Sequence, residues 1–348
     1  NRKMNKKVLN VDIAKGFAII LVMIGHSGMF LFIKDKALLN SIIYSFHMPL
    51  FFIIAGFFMK EKVSLKKAIR RLLVPFFIAS IFWIFIASFL VQLPTYFRSQ
   101  ELYPYSYDFI LQFEKFLKAI FFATRIDIVG TGLWFLIVLF VGRLFWFVFQ
   151  DLLKLKVTAW YILIVLAINF LLYNYLTLAQ THFYWMFPHS ILAYFFMLFG
   201  NHYYKNNFVE KTTHLDVFVL AVITFFVIKW NGRIDMSSFS FNNYAAFIFV
   251  AISAFVIIYK CSFLIEKKSN IFRSFLIWAG KRSLNIFLVH PFLLAIVPYI
   301  LIANFNVKDV FSRPEYLVLI YSMVFLTVYL YEKLKIIIKN MTSLKDAS

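Results

Sequence analysis

The chain has 348 residues, 62% of them hydrophobic and only 15% charged, with a mean hydropathy of +0.80. That is more apolar surface than a soluble core of this length needs, so soluble classes are excluded and a multi-pass membrane protein is expected. The net charge of +20 would point to nucleic acid in a soluble chain. Here it is read as an orientation signal, and no nucleic-acid partner is expected. The single cysteine, Cys261, excludes an internal disulfide and a cysteine metal cluster, and is read as packing.

Taken in order, ten apolar stretches each approach the twenty residues a bilayer requires: 12–33, 42–59, 72–93, 131–150, 158–177, 185–204, 214–230, 244–265, 282–303 and 315–338. The first is too long for a signal-peptide core and lacks a small-residue cleavage site, so it is read as a retained anchor. With the N-terminus inside, Lys and Arg concentrate on the inner segments. These are Arg2 to Lys7, the run 60–71, Lys154 and Lys156, Lys205 and Lys211, 266–282 and the tail. The reverse orientation would contradict the charge rule at nearly every inner loop. The expected fold is therefore an all-α membrane bundle of about ten transmembrane helices with both termini cytoplasmic, one integral-membrane domain over 1–348 without an appended soluble domain. The long outer loop 94–130 spaces Phe109, Phe113, Phe116, Leu117 and Ile120 for an interfacial helix or an amphipathic connector.

The first stretch carries Asp12, Lys15 and His26 on one helical face. Lys15 and His26 are eleven residues apart, about 16 Å along the axis. A charge inside a span is costly and marks a functional site by default. Lys15 can also snorkel to the interface; a short histidine side chain at that depth cannot. Gly25, Ser27 and Gly28 permit close approach of a backbone or ligand, while Ser27 and His26 point some 100° apart and make a poor nucleophile–base pair. His47 in the second stretch lies at a similar depth, and Pro49 frees a backbone carbonyl beside it. The two histidines lack further ligands of metal-site spacing, so no metal is expected.

The run from Lys60 to Arg71 serves topology and anionic lipid, or clamps a phosphate; Arg70 and Arg71 lead straight into the third stretch. Trp134 opens the fourth stretch as a belt residue or a site residue, and Arg143 lies deeper, snorkelling inward or lining a polar interior. His189 follows Pro188. The ninth stretch carries Lys281 and Arg282 at its border, then Ser283, Asn285 and His290. Together these residues outline one tunnel, cationic at the inner mouth and histidine-lined in its middle and outer parts. Lys15 and His26 cannot bond to each other, so if both are functional they touch opposite ends of one elongated ligand. An acyl-CoA has that form: anionic nucleotide, thin arm, terminal thioester.

These motifs make the chain resemble the acyltransferase-3 family of integral-membrane acyltransferases, and within it the polysaccharide O-acetylases of the fucose 4-O-acetylase type. The resemblance covers nearly the whole chain. Lys15 and His26 meet the family's Arg/Lys-x10-His element, preceded by Asp12. Phe46, His47, Pro49, Phe51 and Phe52 precede the Ala55-Gly56-Phe57 turn. Arg70, Arg71 and Pro75 form the basic run into Leu-Leu-x-Pro. Leu133 to Leu136 is Leu-Trp-Phe-Leu, and Gly280, Ser283, Leu284 and His290 close the set. Members often carry Arg-x-x-Arg in the basic loop; here the nearest fit is Lys67-x-x-Arg70. Many members also carry an extracellular hydrolase-like domain; none is expected here, which the resemblance implies would put the whole reaction in the membrane domain.

The resemblance implies transfer of an acyl group, acetyl above all, from cytoplasmic acetyl-CoA or another short acyl-CoA to a hydroxyl of a cell-surface polysaccharide or lipid-linked sugar. His26 would act as general base or accept the acyl group, with Asp12 fixing Lys15. Lys15, Lys67, Arg70, Arg71 and Arg143 would hold the donor, and His47, Trp134 and His290 would shape the acceptor side. Membrane lipid is the surrounding partner, and self-association is left open. A multi-pass protein of the cell membrane is expected, and abundant Phe, Lys and Asn point to an AT-rich bacterial genome. The rival class is a transporter or flippase for a glycan precursor or small anion; it would favour internal symmetry between halves, which the sequence does not display. A non-catalytic partner in polysaccharide assembly would bind no CoA.

Overall fold

The structure is a computed structural model and describes residues 2–26, 36–59, 64–91, 132–179, 186–305 and 314–345. The expected interfacial helix at 108–122, Ser27 and the first residues of the basic run fall outside them. The described chain is predominantly helical. Its main helices are α1 (Arg2–His26), α2 (Lys36–Phe57), α3 (Val74–Val91), α4 (Trp134–Trp146), α5 (Ala159–Ala179) and α6 (Phe187–Lys205). They continue with α7 (His214–Asn231), α8 (Tyr244–Glu266), α9 (Ile271–Lys281), α10 (Ser283–Phe305) and α11 (Pro314–Lys345). An isolated bridge between Asp235 and Ser240 is the one piece of β-pairing among the described residues.

The described residues of all ten expected stretches fall mainly on helices. Seven described helices are long and apolar enough to cross a membrane on their own, and an eighth crossing results if α9 and the first part of α10 count as one span bent by 86°. The first apolar stretch thus begins in a helix that runs without a break from Arg2 to His26. α6 is not among the seven. It is the most enclosed helix, with Leu192 to Leu198 buried, and its second half carries Asn201, His202, Tyr203 and Tyr204. Those polar groups lower its hydropathy; of them, Asn201 Nδ2 donates to the carbonyls of Gly56 and Met59 at 3.1 and 3.0 Å, capping the end of α2.

The apolar surface is distributed as a bilayer solvent demands. Only 17% of the α5 and α7 spans is buried inside the protein, against 61% of the α2 span. Trp160, Leu171, Phe218 and Trp230 stand exposed on those outer helices. Such a continuous apolar exterior would be an aggregation site in water and is ordinary against lipid. The chain is therefore a multi-pass membrane protein.

Lipid supplies no hydrophobic drive between helices, so close backbone approach and interhelical hydrogen bonds must hold the bundle. Two glycine pairs provide the approach. A Cβ on Gly16 would run into the Leu276 carbonyl, and one on Gly280 into the Asp12 carbonyl, so α1 and α9 cross backbone to backbone. Gly56 and Gly200 do the same for α2 and α6, against Met197 and Ile53. Asn285 on α10 donates to Glu332 on α11 at 2.8 Å, as its polar side chain in a span leads one to expect. α1 packs against α2, α8, α9 and α10 and is the axis of the assembly. The Gly280 crossing and the bend at Arg282 then send α10 back along α1, which is what carries His290 to His26.

Candidate active site

At the basic end, Lys15 Nζ bonds the Asp12 carboxylate at 2.8 Å, the expected i,i+3 pair. Asp12 is buried, and Lys15 reaches into a cavity of about 380 Å³. Arg71, Arg143 and Ser283 share its lining, with Phe135 and Phe287. Arg71 lies close enough to Arg143 for the two guanidinium charges to repel. Arg143 Nε is buried with no hydrogen-bond partner among the described residues. Three cations with one carboxylate leave a net positive, partly desolvated wall, which is the chemistry of a phosphate site.

Arg71 comes from a π-helical turn, Ile69–Leu73, between the short turn Leu65–Ala68 and α3. Pro75 has no N–H to offer the Arg71 carbonyl four residues back, so the α ladder is already broken there and a wider turn costs little. The extra residue in the turn rotates the register. All three of Lys67, Arg70 and Arg71 are exposed, but only Arg71 lines the cavity. Of the five cations expected to hold a donor, the structure brings together Lys15, Arg71 and Arg143.

About three helical turns away, His26 is the last described residue of α1. His290, fully buried on α10, approaches it with Nε2 3.4 Å from His26 Nδ1; the ring centroids are 5.4 Å apart. The protons follow from the acceptors. His290 Nδ1 lies 3.1 Å from the Ile286 carbonyl, which can only accept, so Nδ1 carries the hydrogen. Neutral His290 then has a bare Nε2, and His26 must donate to it through Nδ1. That leaves the Nε2 lone pair of His26 for other work. The 3.4 Å separation is long, as catalytic hydrogen bonds often are before substrate tightens them.

His47, buried on α2, is anchored the same way: Nδ1 donates to the Ile43 carbonyl at 2.7 Å. Its ring packs edge-on against Tyr44, whose hydroxyl donates to the Gly25 carbonyl at 3.3 Å. On the other flank Gly132, with φ +66, turns the chain into α4. A Cβ placed there would sit 3.4 Å from His26 Cε1, next to Phe287. Trp134 follows, half-buried, its ring 6.0 Å from His189. No group of three His, Cys, Asp or Glu side chains assembles as a metal site among the described residues.

The two ends meet through aromatic rings. Phe135 and Phe287 line the cavity and lie 5.5 Å apart, and Phe287 is 5.9 Å from His290. The cavity thus runs from the three cations to one aromatic layer short of the histidine pair. Sequence reasoning missed one charge here. The Asp235 carboxylate, in the turn between α7 and α8, acts electrostatically on both His26 and His47. Its signal in the sequence was only a charged residue in an outer loop, indistinguishable from a solvated one.

A family model described as an acyltransferase domain, that of the acyltransferase-3 family, matches residues 8–332. All the residues described above lie within that match. No curated protein and no solved structure matches the chain.

Proposed function

The chain belongs to the acyltransferase-3 family, and on that premise we propose that it moves a short acyl group, acetyl above all, from cytoplasmic acyl-CoA to a hydroxyl of a cell-surface or lipid-linked sugar in the cell membrane. The observation that carries this reading is the continuity of one cavity, cationic at one end and bordered at the other by the aromatic layer against His26 and His290. Lys15, Arg71 and Arg143 take the donor's phosphates by charge-assisted hydrogen bonds, and Asp12 steers Lys15. The donor's thin arm passes along Phe135 and Phe287, and its thioester reaches His26.

In the reaction, His26 Nε2 takes the proton of the acceptor hydroxyl as that oxygen bonds to the thioester carbonyl carbon. The tetrahedral intermediate collapses, the C–S bond breaks, and the departing thiolate takes the proton back from His26. The products are the sugar ester and free CoA thiol. While His26 is an imidazolium, it donates through Nδ1 to His290 Nε2, and Asp235 offsets its charge. The bare Nε2 favours the base role over an acyl-carrier role only in this sense: a base needs one oriented lone pair and one donor pinned behind it. His47 and Trp134 flank the reacting centre from α2 and α4.

The test is transfer. Purified protein in lipid nanodiscs is given acetyl-CoA labelled in the acetyl group and a panel of methyl glycosides. Label recovered as a base-labile ester on sugar is the expected result. Donor that binds without any label reaching sugar, or label that crosses the bilayer without ester formation, overturns the reading.

A further inference from the structure

The turn between α7 and α8, Gly232 to Asn243, is more constrained than a connector requires. Asp235 and Ser240 exchange backbone hydrogen bonds at 2.8 and 3.0 Å. Three asparagines clamp its base. Asn242 Nδ2 donates to the carbonyls of Asn231 and Arg233 at 2.7 and 2.9 Å, and Asn231 receives the Asn243 N–H at 2.9 Å. Asn231 also donates to the Phe241 carbonyl at 3.2 Å. Two non-glycine residues sit in the left-handed region, Phe239 at φ 58 and Asn242 at φ 54. Asparagine tolerates this; a phenylalanine there costs about 1–2 kcal/mol. The ring so placed lies 4.8 Å from His189 and 4.9 Å from Phe241.

The turn bridges the two flanks of the histidine site. On one side the Arg233 guanidinium lies over the Tyr44 ring at 5.3 Å, and Tyr44 bonds the residue just before His26. On the other side His189 Nε2 donates to the Ser237 carbonyl at 3.1 Å, with Trp134 against His189. Alternation along the strand-like stretch buries Ile234 and Met236 and leaves Arg233 and Asp235 on the opposite face. That face is the one felt at Tyr44, His26 and His47.

We infer that this turn is the acceptor's binding site and takes the hydroxyl-bearing edge of a pyranose ring, Arg233 donating to one sugar oxygen and Asp235 accepting from a neighbouring hydroxyl. The chemistry is that of carbohydrate recognition: a donor and an acceptor on one face, Asp235 being held through Oδ1 by the Ser237 N–H and hydroxyl at 2.8 and 2.6 Å, with the Phe239 and Trp134 rings against His189 on the same turn's other flank for the apolar face of the sugar. The cation cavity delivers the donor to His26 from the opposite direction, so the acceptor enters where the turn roofs the histidines. The strained Phe239 is then explained by the position its ring must hold. This inference rests on the acyl-transfer reading above.

The test splits KM from kcat and donor from acceptor. Wild-type protein is assayed with labelled acetyl-CoA and the methyl glycoside it acylates best, beside Arg233→Gln, Asp235→Asn and Phe239→Gly. The expected result is an acceptor KM raised about tenfold or more in Arg233→Gln and Asp235→Asn, with the KM for acetyl-CoA within about twofold. Phe239→Gly removes the left-handed strain together with the ring's packing on His189 and Phe241, so its thermal midpoint is measured beside its kinetics; the expected result is a raised acceptor KM in protein that is still folded at the assay temperature. Acceptor KM unshifted in all three variants overturns the site. A fall in kcat at unchanged acceptor KM in Asp235→Asn also overturns it, because the carboxylate then acts through His26 alone. Wild-type protein that acylates no glycoside in the panel counts instead against the acyl-transfer reading on which this one stands.

Discussion

At the basic end of the cavity, Lys15, Arg71 and Arg143 arrive from α1, the π turn and α4 on long side chains, and among the described residues only Lys15 has its charge paired there. At the other end, His26 and His290 meet as short rings, and the hydrogen on each of their Nδ1 atoms is already committed. The first arrangement is suited to an anion through summed charge, which several geometries satisfy. The second holds one lone pair in one direction, which a single geometry satisfies. On the proposed function, binding would rest on several interchangeable cations and chemistry on one fixed ring, with α1 contributing Lys15 to the one and His26 to the other.

The sharpest way to break this comparison is at His26. His26→Ala is expected to lower the transfer rate by about a thousandfold, in the range of a lost general base, while the protein still binds CoA with wild-type affinity in a calorimeter. His290→Phe preserves the packing but removes the acceptor behind His26 Nδ1, freeing the ring to choose the wrong tautomer. It is expected to cost about a hundredfold in kcat at unchanged donor KM. Arg143→Ala, by contrast, is expected to raise donor KM about tenfold and leave kcat near wild type, and Arg143→Lys to recover most of that loss. Gly280→Ala puts a methyl into the Asp12 carbonyl at the α1–α9 crossing. Its cost is about 1–3 kcal/mol, read as a lower thermal midpoint in detergent. The smallest effect sharpens the basic end. Lys67→Ala and Arg70→Ala, at exposed positions that do not line the cavity, are expected to change donor KM by less than about twofold.

Helical periodicity made the α1 stripe readable in advance. Asp12 pairs with Lys15 because i and i+3 share a face, and His26 stands three turns away because no break interrupts α1. His47 and His290 were legible as histidines in apolar spans beside a proline, where a short polar side chain must find a partner. What periodicity does not encode is register change and long-range pairing. Arg70 and Arg71 are neighbours with equal claims in sequence, and only the π turn assigns the cavity to Arg71. The 86° bend at Arg282 divides what reads as one span and its inner loop into α9 and α10. The partnership of His26 with His290, 264 residues apart, depends on that bend. Asp235 was opaque for a different reason: its effect comes from a turn held by three asparagines, each making bonds that no local pattern announces.

The most direct measurement of the central claim is a density map of the protein in nanodiscs with a non-hydrolysable acetyl-CoA analogue bound. The account predicts the phosphates against Lys15, Arg71 and Arg143, the arm between Phe135 and Phe287, and the acyl carbonyl within reach of a hydroxyl held at His26 Nε2. An analogue whose acyl end stops on the cation side of the Phe135–Phe287 layer, or whose phosphates lie away from those three side chains, would contradict it.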